Sequence, residues 1–244
     1  MRKWQKQLKL FQNSATFLKN GIAPPRCMGC LIEGTWLCQS CKKNINGSAK
    51  LSCIVCGKVR PRGSTCYKCR TKTPLHGVVS VGSYGFTNLR RGIHWLKFRN
   101  VTDIAEDLAG LMLDSLSVVA PASVLRRQAV IIPIPLHKRR MRERGFNQSL
   151  VLAEKMAELT AIPYDDALVR VKHTWAQAKL PNEMRQDNLL DAFELKNDKV
   201  RDKPIILLVD DVTTSGATLS EAANAIVSDS KDGNQFWGST IARG

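Results

Sequence analysis

The sequence predicts an α/β protein, a mainly parallel sheet with helices on both faces, preceded by a small cysteine-rich unit. Three observations carry this. From residue 77 onward, short β-branched apolar runs alternate with stretches of helical period, the pattern of strands joined by crossover helices. All eight cysteines fall between residues 27 and 69. Charge divides at the same place, since residues 1–76 hold 15 Lys and Arg against the single acid Glu33, whereas residues 77–244 hold 22 against 20. A chain of 244 residues has room for one α/β domain of about 170 residues and a small attachment. We therefore divide it into 1–20, 21–76 and 77–244.

Residues 2–19 place Trp4, Leu8, Phe11, Ala15 and Leu18 on one helical face, with Lys3, Lys6, Lys9 and Lys19 elsewhere, which makes 1–20 a basic amphipathic helix. Such a helix packs on the protein's own body, or meets nucleic acid or an anionic membrane surface. Gly21, Pro24 and Pro25 end it. The cysteines then form four CxxC pairs: Cys27 and Cys30, Cys38 and Cys41, Cys53 and Cys56, Cys66 and Cys69. This spacing makes a knuckle whose thiolates point at one metal, and two knuckles complete a tetrahedral shell for Zn²⁺. Seven residues separate the first two pairs and nine the last two, so consecutive pairing gives a double zinc ribbon with two Zn²⁺. Spacing alone leaves interleaved pairing open. With few large apolar residues, the segment is expected to fold only with metal. Eight thiolates and two Zn²⁺ leave it a charge of about +10, still a surface drawn to polyanions. Reduced thiols, the lack of an 18-residue apolar run and a basic start without an apolar core point to the cytoplasm.

In the second part, 78–86 reads as a strand or strand pair, 88–98 and 103–117 as helices closed by Pro121, 129–136 as a buried strand, and 147–160 as a helix. A further short strand is expected over 167–171. The run 205–209, Ile-Ile-Leu-Leu-Val, has the composition of a parallel strand buried on both faces. It is followed by a helix over 217–229 and a last strand over 235–242. That last strand is polar for an interior position and follows a long turn over 231–234, so both features are assigned to the sheet edge.

The chemistry sits past the ends of two of these strands. After 205–209 come Asp210, Asp211, Val212 and Thr213, then Thr214, Ser215, Gly216, Ala217 and Thr218. Backbone amides of 214–218, with Gly216 allowing a tight approach, can wrap a phosphate at the start of the helix, and the three hydroxyls add donors. Two acids beside a phosphate nest suit a ribose, because Asp210 and Asp211 can accept from its 2- and 3-hydroxyls and can meet Mg²⁺. Past the 129–136 strand, Lys138, Arg139, Arg140, Arg142 and Arg144 crowd five cations into seven positions. Of these, Lys138, Arg139, Arg140 and Arg144 are assigned to a pyrophosphate, in a basic loop facing the Asp210 loop across a cleft. The histidines His76, His94, His137 and His173 are scattered, and no covalent nucleophile is required. Trp36 and Tyr67, inside the ribbons, either stack on bases or pack on the knuckles.

The 205–218 run resembles the phosphoribosyl pyrophosphate (PRPP) signature of type I phosphoribosyltransferases, with Ser215 in place of a second Thr. The block from Pro133 and Pro135 through His137 to Gln148, read with the Lys97 and Phe98 pair, Arg170, Thr174, Gln177, Leu180, Arg185 and Asn188, is similar to the ComF family of competence-associated proteins. The likeness spans 27–241. It implies a type I phosphoribosyltransferase-like domain behind the zinc ribbons. It also implies a cytoplasmic role in natural transformation, handling incoming single-stranded DNA or passing it to helicase and recombination-loading proteins, with PRPP or a nucleotide as ligand. An accessory protein, an active phosphoribosyltransferase with unknown acceptor and a ligand-controlled regulator all remain open to these motifs.

Overall fold

The computed structural model describes residues 24–45, 51–98, 103–172, 191–197, 200, 202–227 and 233–244. The amphipathic helix over 1–20, the residues Thr174, Gln177, Leu180, Arg185 and Asn188, and positions 231–232 of the long turn lie outside them. The elements in chain order are α1 (Gln39–Ile45), β1 (Leu75–Ser83), α2 (Thr87–Phe98), α3 (Ile104–Leu116), α4 (Ala122–Gln128), β2 (Ala129–Pro133) and α5 (Lys138–Arg144). They continue with α6 (Gln148–Thr160), β3 (Leu168–Arg170), β4 (Phe193–Leu195), β5 (Ile205–Thr213), α7 (Ala217–Val227) and β6 (Gln235–Arg243).

β1, β6, β5 and β2, in that order, form one parallel sheet. Alternation along the strands sorts side chains to two faces. Val79, Ile131, Leu207 and Val209 pack with Ile93 of α2, Leu108 and Met112 of α3 and Leu152 of α6. On the opposite face Val78, Ile132, Ile206 and Leu208 meet Leu219, Ala222 and Ile226 of α7 and Phe193 of β4. Both faces are therefore covered, which is why β5 needs no polar alternation until it reaches Asp210. Leu207 is fully buried. Truncating such a leucine to alanine costs about 2 to 5 kcal/mol.

The first zinc ribbon belongs to the same core. Cys27, Met28, Leu37, Cys41 and Ile45 lie in one buried cluster with Val79, Ile93 and Leu108. Arg91 of α2 donates to the carbonyls of Met28 (2.6 Å) and Gly29 (3.0 Å), and Trp36 meets Trp95 edge to face at 6.0 Å. Trp36 is thus committed to the protein body. The boundary drawn at 76/77 falls within β1.

Several expectations are corrected. The last strand does not form the sheet edge: β6 lies between β1 and β5, and its buried Thr240 hydroxyl is satisfied internally, Ser80 Oγ and Thr240 Oγ1 standing 2.7 Å apart. Pro121 stands beyond the end of α3, which stops at Leu116, and serves as the N-cap of α4, with φ −57° and ψ 146°. The basic loop is the helix α5, capped by His137, whose Nδ1 accepts from the Arg139 amide at 3.3 Å, and ended by Gly145 at φ 78°. The strand expected over 167–171 pairs antiparallel with β4 in a separate two-stranded sheet. No helix among the described residues is long and apolar enough to cross a membrane.

Candidate functional site

The cysteines pair consecutively. Cys27, Cys30, Cys38 and Cys41 form one cluster, Cys53, Cys56, Cys66 and Cys69 the other, and the sulfurs within each lie within 4.8 Å of one another. Four sulfurs around a Zn²⁺ at about 2.3 Å stand roughly 3.8 Å apart, and Cys30 and Cys38, like Cys56 and Cys66, are 3.7 Å apart. Burial opposes a thiolate at Cys27, but the amides of Cys38, Cys30 and Gly29 outweigh it and lower its pKa to about 6. Cys53 is held at about 6 in the same way, by amides of Cys56, Cys66 and Val55 against the cost of burial. Burial and then the neighbouring sulfurs push Cys41 up to about 12, and the Cys66 sulfur and then burial do the same to Cys69. Each cluster thus holds one thiol biased towards the thiolate and one pushed away from it by burial and by the neighbouring sulfurs, and a divalent metal would supply the positive charge that favours thiolates. The two clusters could hold two zinc ions.

The second region lies where the parallel strands end. Asp210 and Asp211 lie in β5 just beyond the end of β2, where β5 is still paired with β6 as far as Thr213, and α7 starts at Ala217, so the intervening loop faces a helix amino end. Asn147 caps α6, its Oδ1 accepting from the Ser149 amide at 3.1 Å while its Nδ2 donates to the Ile134 carbonyl at 3.1 Å. That cap aims Ser149, whose hydroxyl donates to Asp210 Oδ1 at 3.0 Å. Asp210 Oδ1 also accepts from the Asp211 amide at 2.8 Å. Lys97, at the end of α2, pairs with Asp211 at 2.7 Å. Burial, then the Asp211 charge, pushes the Asp210 carboxyl up to about 7, against the opposing pull of its hydrogen bonds and of Lys97. The two acids share one crowded, electron-rich lip.

A cavity of about 350 Å³ brings together Asp210, Asp211, Thr214, Thr218, Arg140 and Arg144. Arg140 and Arg144 are four apart on α5 and so share a face. Lys138 and Arg139 stand on its exposed side, Arg139 paired with Glu143 at 3.1 Å. Ser215 is exposed at the loop tip, and Gly216 and Ala217 are buried beneath it, so these three are outside the lining. Gly216 has φ 77°, a conformation that favours glycine. The lining also includes Lys97, Tyr84, Gln148, Ser149, Arg170 and Gly244, to which no site role was assigned from sequence. Three of these, Lys97, Gln148 and Arg170, were visible as residues carrying the family likeness. Burial, then the Arg140 charge, presses the Arg170 guanidinium below its ordinary pKa, and the group stacks over Phe193 at 5.3 Å.

No protein-family model matches the chain. Among characterised proteins, it is 31% identical over 208 residues to the DNA utilization protein YhgH of Salmonella typhimurium, covering 82% of this chain and 88% of that protein. It is 30% identical over 221 residues to Competence protein F of Haemophilus influenzae, covering 87% and 95%. To Competence protein ComFC of Bacillus subtilis it is 28% identical over 202 residues, covering 80% and 79%. Kinship of this extent, joined to paired Cys₄ clusters ahead of a parallel α/β sheet, means that the chain belongs to the ComF family.

Proposed function

We propose that this protein serves natural transformation in the cytoplasm by handling incoming single-stranded DNA, and that its cavity takes PRPP or a nucleotide together with Mg²⁺. The observation that carries the ligand is the lining of one cavity by two acids, two threonine hydroxyls and two arginines at the carboxyl ends of parallel strands. In this reading Thr214 and Thr218, at the two ends of the loop, hold the 5-phosphate, Asp210 and Asp211 the ribose hydroxyls, and Arg140 and Arg144 the pyrophosphate. Mg²⁺ takes hard oxygen donors, usually one or two carboxylates plus substrate phosphates, and the acid pair supplies the former. The DNA half rests on kinship with proteins named for competence and DNA utilization and on the exposed cations Lys58, Arg60, Arg62, Lys68, Arg70 and Lys72 of the second ribbon. Helicase and recombination-loading proteins are the expected recipients of the strand. Calorimetry with PRPP and Mg²⁺ tests the site: wild type should bind, and Asp210→Ala with Asp211→Ala should not. Binding that persists in the double variant refutes it.

A second reading, an active phosphoribosyltransferase, draws on one further observation. A hollow of about 410 Å³, lined by Lys97, Phe98, Arg140, Glu143 and Arg144, adjoins the first cavity and shares Lys97, Arg140 and Arg144 with it. An acceptor could stand there beside the ribose carbon, where positioning and charge neutralisation are most of what such a transfer requires. Pyrophosphate released from PRPP in proportion to an added acceptor would establish transfer. Its absence across purine, pyrimidine and amine acceptors favours the binding role.

A further inference from the structure

The second zinc ribbon forms the floor of the loop that faces the cavity. Ile54, the residue after Cys53 in the third CxxC pair, is 2% exposed. A methyl placed on Gly216 would lie 2.4 Å from Ile54 Cγ1, so the loop apex rests on this one side chain. The knuckle is in turn fixed to the sheet. Arg243, at the end of β6, donates from Nη1 to Ser52 Oγ (2.8 Å) and the Ser52 carbonyl (3.2 Å). Its Nη2 reaches the carbonyls of Cys53 (3.2 Å) and Ile54 (3.3 Å). Gly244, the next residue, lines the cavity and donates its amide to the Thr213 carbonyl at 2.9 Å. A continuous line of contacts thus runs from the second Cys₄ cluster through Ile54 to Gly216, and through Arg243 to the strand bearing the two acids.

We infer that Ile54 is a positioning residue for the phosphate side of the cavity, so that the second metal centre sets affinity for a sugar phosphate while the pyrophosphate side is held independently. The inference rests on the ribose-phosphate reading of the cavity. Its physical basis is the asymmetry of the two walls. Arg140 and Arg144 stand on α5, an element fixed by its own caps at His137 and Gly145, and Arg144 is further held by Gln148 at 2.7 Å. The opposite wall is a loop whose left-handed glycine can keep its place only while something fills the space beneath it. Ile54 supplies that filling, and the two cysteines flanking its knuckle fix its backbone once metal joins them.

The test compares zinc-loaded wild type, Ile54→Ala and Ile54→Val by calorimetry against ribose 5-phosphate and, separately, pyrophosphate, with zinc content measured on each sample. Valine keeps the Cγ atoms that meet Gly216, and alanine removes them. Ile54→Ala is expected to weaken ribose 5-phosphate binding about tenfold or more, leave pyrophosphate within about twofold, and retain its zinc, with Ile54→Val close to wild type. Should Ile54→Ala fold poorly, Arg243→Lys carries the same expectation, because it keeps the charge but loses the fork that grips the knuckle. Equal ribose 5-phosphate affinity in the variants, or a parallel loss of both ligands, overturns the inference. If wild type itself binds no ribose 5-phosphate, the reading of the cavity fails and takes the inference with it.

Discussion

Lys97 and Asp211 show what a single pair contributes here. Their side chains are 18% and 10% exposed and 2.7 Å apart, so removing the cation strands a carboxylate in a shielded place. Lys97→Met is expected to lower the unfolding free energy by about 3 kcal/mol in urea titration. His76 gives a pH dependence. Burial and then the Arg70 charge hold its imidazole below the ordinary pKa, and its Nδ1 accepts from the Phe236 amide at 3.2 Å, a bond that protonation there would end. The unfolded chain takes up this proton below about pH 6.5, the folded one only at lower pH, so the unfolded state binds more protons in that window. Stability should therefore fall as pH drops below about 6.5. His76→Gln should flatten that limb in melting curves taken from pH 7.5 to 5. At this scale the acids and the threonine loop were legible because they are contiguous in sequence. The Lys97–Asp211 pair and Ser149 were not, since side chains from α2, α6 and β5 meet only after the sheet has formed.

Among the elements, those with an apolar period were legible and those without one were not. α3 and α6 declare themselves by their buried stripes. α5 is almost wholly charged, and what makes it a helix is the pair of caps at His137 and Gly145, too local a signal to outweigh its composition. Once helical, it turns two of its cations to the cavity and the rest to solvent, a selection that spacing in an extended loop would not make. The second ribbon presents Tyr67 at 87% exposure, and its Lys58, Arg60, Arg62 and Lys68 are exposed as well. If single-stranded DNA lies there, Tyr67→Ala should cost about 1 to 3 kcal/mol of affinity with little sequence preference. Changing Arg60, Arg62 and Lys68 together to Gln should reduce the slope of log affinity against log salt by about 2, as read by fluorescence anisotropy. An unchanged slope would move the DNA contact to another face.

Across the whole molecule, composition marks two parts, yet packing joins them. The charge surplus and the cysteines end near residue 76, but Cys27, Met28 and Cys41 share a core with α2 and α3, because a short metal ribbon has too little apolar surface to enclose a core alone. Elemental analysis of the purified protein should give two Zn²⁺ per chain. Cys27→Ser should reduce this to one and lower the melting temperature of the entire protein in a single transition. A separate, unshifted melt of the sheet in calorimetry would show the two parts to be independent. For the same reason, charge substitutions test the DNA surface more cleanly than deletion of the ribbons.

The position of β6 has a consequence for biosynthesis. β1 meets its sheet partner only through residues such as Thr240, 160 positions later than Ser80, so at elongation rates of about 5 to 20 residues per second the strand waits about 10 to 30 s on or near the ribosome before the sheet can close. During that interval the structure that can occupy β1 is the ribbon made just before it, through the Ser64 to Gly77 bridge and the Thr65 amide donating to the His76 carbonyl at 2.8 Å. The ribbon shields only the His76–Gly77 end of β1, so metal supplied during translation is expected to shorten, not remove, the open strand edge that is prone to aggregation. Cells starved of zinc should accumulate this protein in inclusion bodies, and adding metal after synthesis should fail to recover it.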